Sequence, residues 1–282
     1  MSGLSGQAEI TITKPDGRVI RRVITNNIVD AVFTQLQNRI KDTTGGTAYN
    51  TNYKPTKIRT ILANNAFFDS TVSPEITGGG LSVKYTITQL TGSQFNTSGS
   101  GGAIDSPVSS VELRGANDDV VAQATTANTT FTAGSDIDSG DAIDTDDKVD
   151  VDYTLKFQSA SNLVTDYIKR LLSTITEANT ANDISYNKYQ LWDGAGLIIE
   201  SPELSVAGSV DNSVGNQFVL NAETGFKKVP RVPTTFKVFT SDGQEAISVD
   251  VSGDGNLSPW VNGSNVNVPF RLTFTRIVTA IT

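Results

Sequence analysis

The chain has no cysteine and no histidine among its 282 residues. Without cysteine there is no disulfide and no thiolate metal site. Without histidine there is no imidazole general base, no Ser-His-Asp triad and no His-ligated zinc. Charge is sparse: 18% of residues are Asp, Glu, Lys or Arg, and their order singles out no acid–base pair. The net charge of −8 repels phosphate backbones, so nucleic acid is not an expected partner. No apolar run approaches the roughly 18 residues of a membrane helix. The start, Met1 to Gly6, lacks the basic and apolar regions of a secretory signal. An enzyme and a membrane partner are therefore not expected.

What is present suits strands and turns. Apolar residues make up 37% of the chain, enough for a globular core. Thr, Ser, Asn and Gly carry the polar surface; Thr fits a pleated half-buried sheet, and Asn and Gly fit tight turns. Ala8, Ile10 and Ile12 alternate with Glu9, Thr11 and Thr13, and Lys14-Pro15-Asp16-Gly17 reads as the turn into a returning strand from Val19 to Ile24. Val83, Tyr85 and Ile87 alternate likewise, as do Ile247, Val249 and Val251. Such alternation buries one face and wets the other.

The chain also repeats itself. Asn27-Ile28-Val29-Asp30-Ala31-Val32-Phe33, running to Ile40, has a counterpart in Asn162-Leu163-Val164-Thr165-Asp166-Tyr167-Ile168, running to Ile175. Apolar residues at 28, 29, 32, 33, 36 and 40 answer those at 163, 164, 167, 168, 171 and 175. This spacing predicts an amphipathic helix over 28–40 and another over 163–175, capped by Asn27 and Asn162. Three further matches follow in the same order. Ser73-Pro74-Glu75-Ile76 answers Ser201-Pro202-Glu203-Leu204, and Val111-Glu112-Leu113 answers Phe236-Lys237-Val238. The run Val149 to Phe157 answers Val266 to Phe274. The expected fold class is mainly β with one amphipathic helix per domain (α+β). Its two tandem, duplicated, antiparallel β-sandwich-like domains would be a first copy over 1–158 and a second over 159–282. Long polar stretches, Gln89 to Pro107 and Thr125 to Asp147, read as loops that are either functional or ordered only against a neighbour.

Three features invite a chemical reading. Asp136, Asp138, Asp141, Asp144, Asp146, Asp147, Asp150 and Asp152 crowd one segment, and hard cations such as Ca²⁺ take several carboxylate oxygens, the first five being the metal candidates. The spacing is not that of an EF-hand, and the segment reads first as a solvated acidic loop, with no cofactor. Gly78-Gly79-Gly80 lacks the Lys-Ser/Thr of a phosphate loop and reads as a hinge or turn. Of the two tryptophans, Trp192 falls beside apolar Ile61 in the repeat and reads as core. Trp260 follows Pro259 in a polar stretch and is the candidate interaction residue.

The opening Glu9-Ile10-Thr11-Ile12, Asp16-Gly17-Arg18-Val19 and Asn26-Asn27-Ile28-Val29-Asp30, running into a helix, resembles the N-terminal part of structural proteins of tailed bacteriophages and tailed archaeal viruses. The resemblance covers residues 8–40 and returns at 162–175. It departs after the helix, where Ala63-Asn64-Asn65-Ala66 stands in place of a Gly-rich step that Gly194-Ala195-Gly196 approaches. It implies a virion component, made in the host cytoplasm. The expected function is a non-enzymatic decoration of the capsid exterior, of turret, cement or head-fibre type. Partners would be other virion proteins and further copies of the chain as a homo-oligomer. A tail, collar or baseplate component is the alternative, and a carbohydrate-binding adhesive module on a fibre is another.

Overall fold

The computed structural model describes residues 2–41, 49–98, 105–125, 142–158, 162–177, 184–201, 205–211, 217–223, 225–226, 231–253, 266–267 and 270–277. Among the described residues the protein is mainly β with two α-helices, one in each half. The first half runs β1 (Ser2–Thr13), β2 (Val19–Ile28), α1 (Asp30–Lys41), β3 (Lys57–Leu62), β4 (Phe67–Thr71), β5 (Glu75–Thr77), β6 (Ser82–Thr91), β7 (Val108–Arg114), β8 (Val120–Thr125) and β9 (Lys148–Gln158). The second runs α2 (Thr165–Glu177), β10 (Tyr186–Asp193), β11 (Gly196–Ser201), β12 (Ser205–Asp211), β13 (Gln217–Glu223), β14 (Gly225–Phe226), β15 (Thr235–Thr240), β16 (Glu245–Asp250), β17 (Val266–Asn267) and β18 (Phe270–Ile277).

Strand β1 organises the molecule. Its alternation puts Ala8, Ile10 and Ile12 inside, and both of its edges are used. One edge pairs antiparallel with β9 from Gly3 to Thr13. The other pairs with β18 over Ser2 to Ser5 and with β2 over Gln7 to Thr13. The contact with β18 is parallel, a departure from the all-antiparallel expectation. The hairpin turn forms as its sequence demands: Gly17 takes φ +85°, and its N–H donates to the Lys14 carbonyl at 2.9 Å.

The pairing order recurs in the two halves. Strands β5-β6-β9 lie in that order on one side of β1, and β12-β13-β18 reach it in the same order from the other. Strands β4-β3-β7-β8 are matched by β11-β10-β15-β16. The turns into β8 and β16 each use a positive φ, at Asp118 (+70°) and Gly243 (+84°). The helices do not stay with their own halves. Helix α1 approaches β12 and β13, whereas α2 approaches β6 and β9 as well as its own β16. The helices also touch each other, and one apolar core runs through both halves, including Val32, Leu36 and Ile40 of α1 and Tyr167, Leu171 and Ile175 of α2. Residues 1–158 and 159–282 thus share a strand, a helix pair and a core.

Details differ from the sequence reading. Both helices begin later than the apolar spacing suggests, at Asp30 and Thr165. The preceding residues are drawn into sheets: Asn26 to Ile28 pair with β8, Leu163 bridges Ile247, and the Asn162 carbonyl accepts from Ser248 N–H. Asn27 is therefore a strand residue rather than a helix cap. The stretch from Gln89 is not wholly loop: β6 runs to Thr91 and a 3-10 segment occupies Gly92–Ser98. Its Phe95 is buried against Phe68, with ring centroids 6.1 Å apart. Backbone bonds from Gly92 N–H to the Asp147 carbonyl at 2.9 Å and from Ser93 N–H to the Thr145 carbonyl at 3.0 Å hold the start of the same segment.

Candidate functional site

The acidic segment is organised by a lysine. Lys14, in the β1–β2 turn, sends its ammonium to the Ala142 carbonyl at 2.7 Å, to Asp144 Oδ2 at 3.0 Å and to Asp147 Oδ2 at 2.7 Å. Asp147 is fully buried and Lys14 is 7% exposed. Three oxygens thus surround an internal cation, in the place where a metal ion would compete for the same lone pairs. Burial disfavours the Lys14 ammonium, but hydrogen bonds and attraction from Asp147 and Asp144 outweigh it and hold the charge above the ordinary lysine range. Asp146 is exposed beside them, and Asp136, Asp138 and Asp141 lie outside the described residues. Among the described residues no three acidic side chains converge as metal ligands. Asp150 and Asp152 hold the neighbouring strand instead: Asp150 accepts from Gln89 N–H at 2.6 Å, and Asp152 accepts from the Thr86 hydroxyl at 2.7 Å.

This arrangement makes two expectations. Lys14→Met strands a buried carboxylate and should cost about 3–5 kcal/mol, as one-sided removal of a buried ion pair does; urea titration reads it. Chelating divalent ions should leave the melting temperature of the native chain unchanged. A calcium-dependent rise of several degrees would establish a metal site in this segment.

A second feature is a patterned face present in both halves. On β3 and β4, Arg59 makes a two-pronged contact with Asp69, both distances 2.6 Å, and its guanidinium lies 4.2 Å from the Phe67 ring centre. Lys57 bonds Asp69 and Asp118. Burial raises the Asp69 carboxyl, but Arg59 and Lys57 together more than reverse this and hold it below the usual carboxylate range. On β7 and β8, Glu112 accepts from Arg114 Nε at 2.6 Å and from Gln123 at 2.7 Å. The equivalent face of β10 and β11 carries Lys188, Gln190 and Trp192 opposite Glu200 and Leu197. Lys188 lies 3.3 Å from Glu200, and Gln190 donates to Glu200 and accepts from the Trp192 indole at 2.8 Å. The Gln190 hydrogen bond, with Lys188, holds the Glu200 carboxyl below its usual range. Register aligns Arg59/Asp69 with Gln190/Glu200, and Ile61/Phe67 with Trp192/Leu197.

Trp192 is therefore not core. It sits half-buried on the outward face, 5.0 Å under the Lys237 ammonium, beside Leu197 at 43% exposure. Strand alternation explains it: Tyr189 and Leu191 take the buried side. Trp260 lies outside the described residues. Gly78, Gly79 and Gly80 all take positive φ in a short 3-10 turn before β6, as a hinge or turn requires. Between that turn and α2 lies an open cleft of about 220 Å³, lined by Ile76, Gly80, Val83, Leu172 and Thr176, below the roughly 300–1,000 Å³ of ligand pockets. No protein-family model, curated protein or solved structure matches the chain.

The roles of Lys14, Asp147 and Glu112 are not evident in the sequence. Lys14 was legible only as part of a turn, and Asp147 was one aspartate in a run. The alternation of Lys57 and Arg59 with apolar Ile58, and of Lys188, Gln190 and Trp192 with Tyr189 and Leu191, is the signal that marks the outward faces.

Proposed function

We propose that this chain is a non-enzymatic structural protein of a virus particle, placed on the capsid exterior and acting through its outward sheet faces. The observation that carries this reading is the recurrence of one face in both halves, a cation–carboxylate ladder ending in an apolar or aromatic pair. The charges on these faces neutralise one another in pairs, a pattern suited to many small polar contacts with a neighbour rather than to chemistry on a bound molecule. Net negative charge favours the outside of a shell packed with DNA over its inside. Its partners on this reading are other virion proteins and further copies of the chain. The outward Trp192 supports a second reading, a carbohydrate-binding adhesive module, since an aromatic face flanked by polar groups can stack a sugar ring.

Gold-labelled antibody against the purified protein, applied to intact particles from the host culture, tests the proposal. Label over the heads is the expected result. Label confined to tails or fibres would move the protein to the alternative positions, and particles without label or protein would overturn the virion reading.

A further inference from the structure

We propose that Lys14 and Asp147 become joined by an amide bond, formed by the folded chain itself, that ties the end of β1 to the segment entering β9. The inference stands apart from the virion reading and rests on the geometry of three residues. Thr13 and Lys148 are paired at the ends of adjacent antiparallel strands, which brings Lys14 and Asp147 together. The Lys14 nitrogen is held 2.7 Å from Asp147 Oδ2 in a wholly buried contact. Asp144 adds two groups. Its backbone N–H donates to Asp147 Oδ2 at 2.7 Å, and its own Oδ2 lies 3.0 Å from the Lys14 nitrogen. Asp147 Oδ1 is buried with no hydrogen-bond partner among the described residues.

These are the parts of a condensation: a nucleophile, a carboxyl whose one oxygen is polarised, an uncommitted second oxygen, and a carboxylate to move protons. The Asp144 carboxylate takes one proton from the ammonium and passes it to Asp147 Oδ1. The freed amine attacks Asp147 Cγ and forms the N–C bond, while charge developing on Oδ2 is held by the Asp144 N–H. Asp144 then carries a second proton from nitrogen to Oδ1, the C–O bond breaks, and water leaves. An ammonium and a carboxylate give an amide and one water, with no oxidant, reductant or activating group. The ammonium is the resting form here, so the amine is scarce and the bond accumulates slowly after folding. The product closes the chain from residue 14 to 147 through the strand that both halves share.

Denaturing mass spectrometry of the full chain, sampled over days after purification, tests this directly. The expected result is a mass lower by one water, with proteolysis yielding a branched peptide that contains both Lys14 and Asp147. Lys14→Arg keeps the charge but not the nucleophile, and should stay at full mass. Asp144→Asn should slow bond formation by about a hundredfold or more, the usual scale for removing a proton carrier. A wild-type chain at full mass with a free Lys14 amine after prolonged incubation would overturn the proposal. So would a water loss that persists in Lys14→Arg. An unchanged rate in Asp144→Asn would overturn the proton route given to that residue.

Discussion

Raising the pH from about 9 to about 11 should cost the folded state about 5 kcal/mol through its buried tyrosines alone. Tyr49, Tyr85, Tyr153 and Tyr186 are at most 1% exposed. Burial pushes all four hydroxyls well above the ordinary tyrosine range. Tyr85 is raised further by Tyr49 and by Glu177 of α2. The sign follows from proton counting. In the unfolded chain each phenol ionises near 10, while in the folded chain it keeps its proton, so the folded state binds more protons at alkaline pH. Their contribution is fully present below about pH 10 and is lost as pH rises, at about 1.4 kcal/mol per pH unit for each group. Urea titrations at the two pH values, read with the tyrosinate absorption band, check it. Tyr153→Phe should be close to neutral at pH 7, because its hydroxyl has no hydrogen-bond partner among the described residues and an unmade bond is a cost rather than a gain. The same change should flatten the alkaline slope by one group's share. Tyrosines that titrate near 10 in the folded protein, with stability unchanged, would show that the phenols are not sealed in the core.

Neither half of the chain should fold alone. A fragment ending at residue 160 lacks α2, which in the whole protein approaches β6 and β9. Its removal takes away a cover of the side of the sheet where Val83, Tyr85, Tyr153 and Leu155 are buried. The remaining fragment lacks α1, which approaches β12 and β13, and lacks β1, which pairs with β18. Each fragment would have to expose apolar surface that the other covers, and burial of that kind is the main favourable contribution to folding. The expected result is two fragments with strand content but no cooperative thermal transition.

Much of this architecture was legible in the residues, for identifiable reasons. Alternation in β1, β6 and β9 is clean because one face is sealed and the other wet, so periodicity reports it directly. The helix faces are legible because Val32, Leu36, Leu171 and Ile175 repeat at helical spacing and are all buried. Which sheet those faces meet is another matter. Periodicity says that a face is apolar but carries no address, so the approach of α2 to first-half strands has no signature in the chain. Lys14 and Asp147 are hidden likewise, because 133 positions separate them. Phe95 shows the limit of composition, since a buried ring and backbone bonds from Gly92 and Ser93 hold part of a stretch that reads as polar loop. Trp192 shows a signal misread. Its position alternates with Tyr189 and Leu191, and that parity places it outward, whereas likeness to Ile61 suggests burial although Ile61 is itself only half-buried.

The two halves form one body through crossed helices and a first strand that pairs with both. Mixing the fragments 1–160 and 161–282 tests it most directly, with calorimetry on each fragment and on the equimolar mixture. The crossed arrangement predicts no transition for either fragment alone and a single cooperative transition for the mixture. Two fragments that each melt cooperatively, with nothing gained on mixing, would contradict it and describe two independent domains joined by a linker.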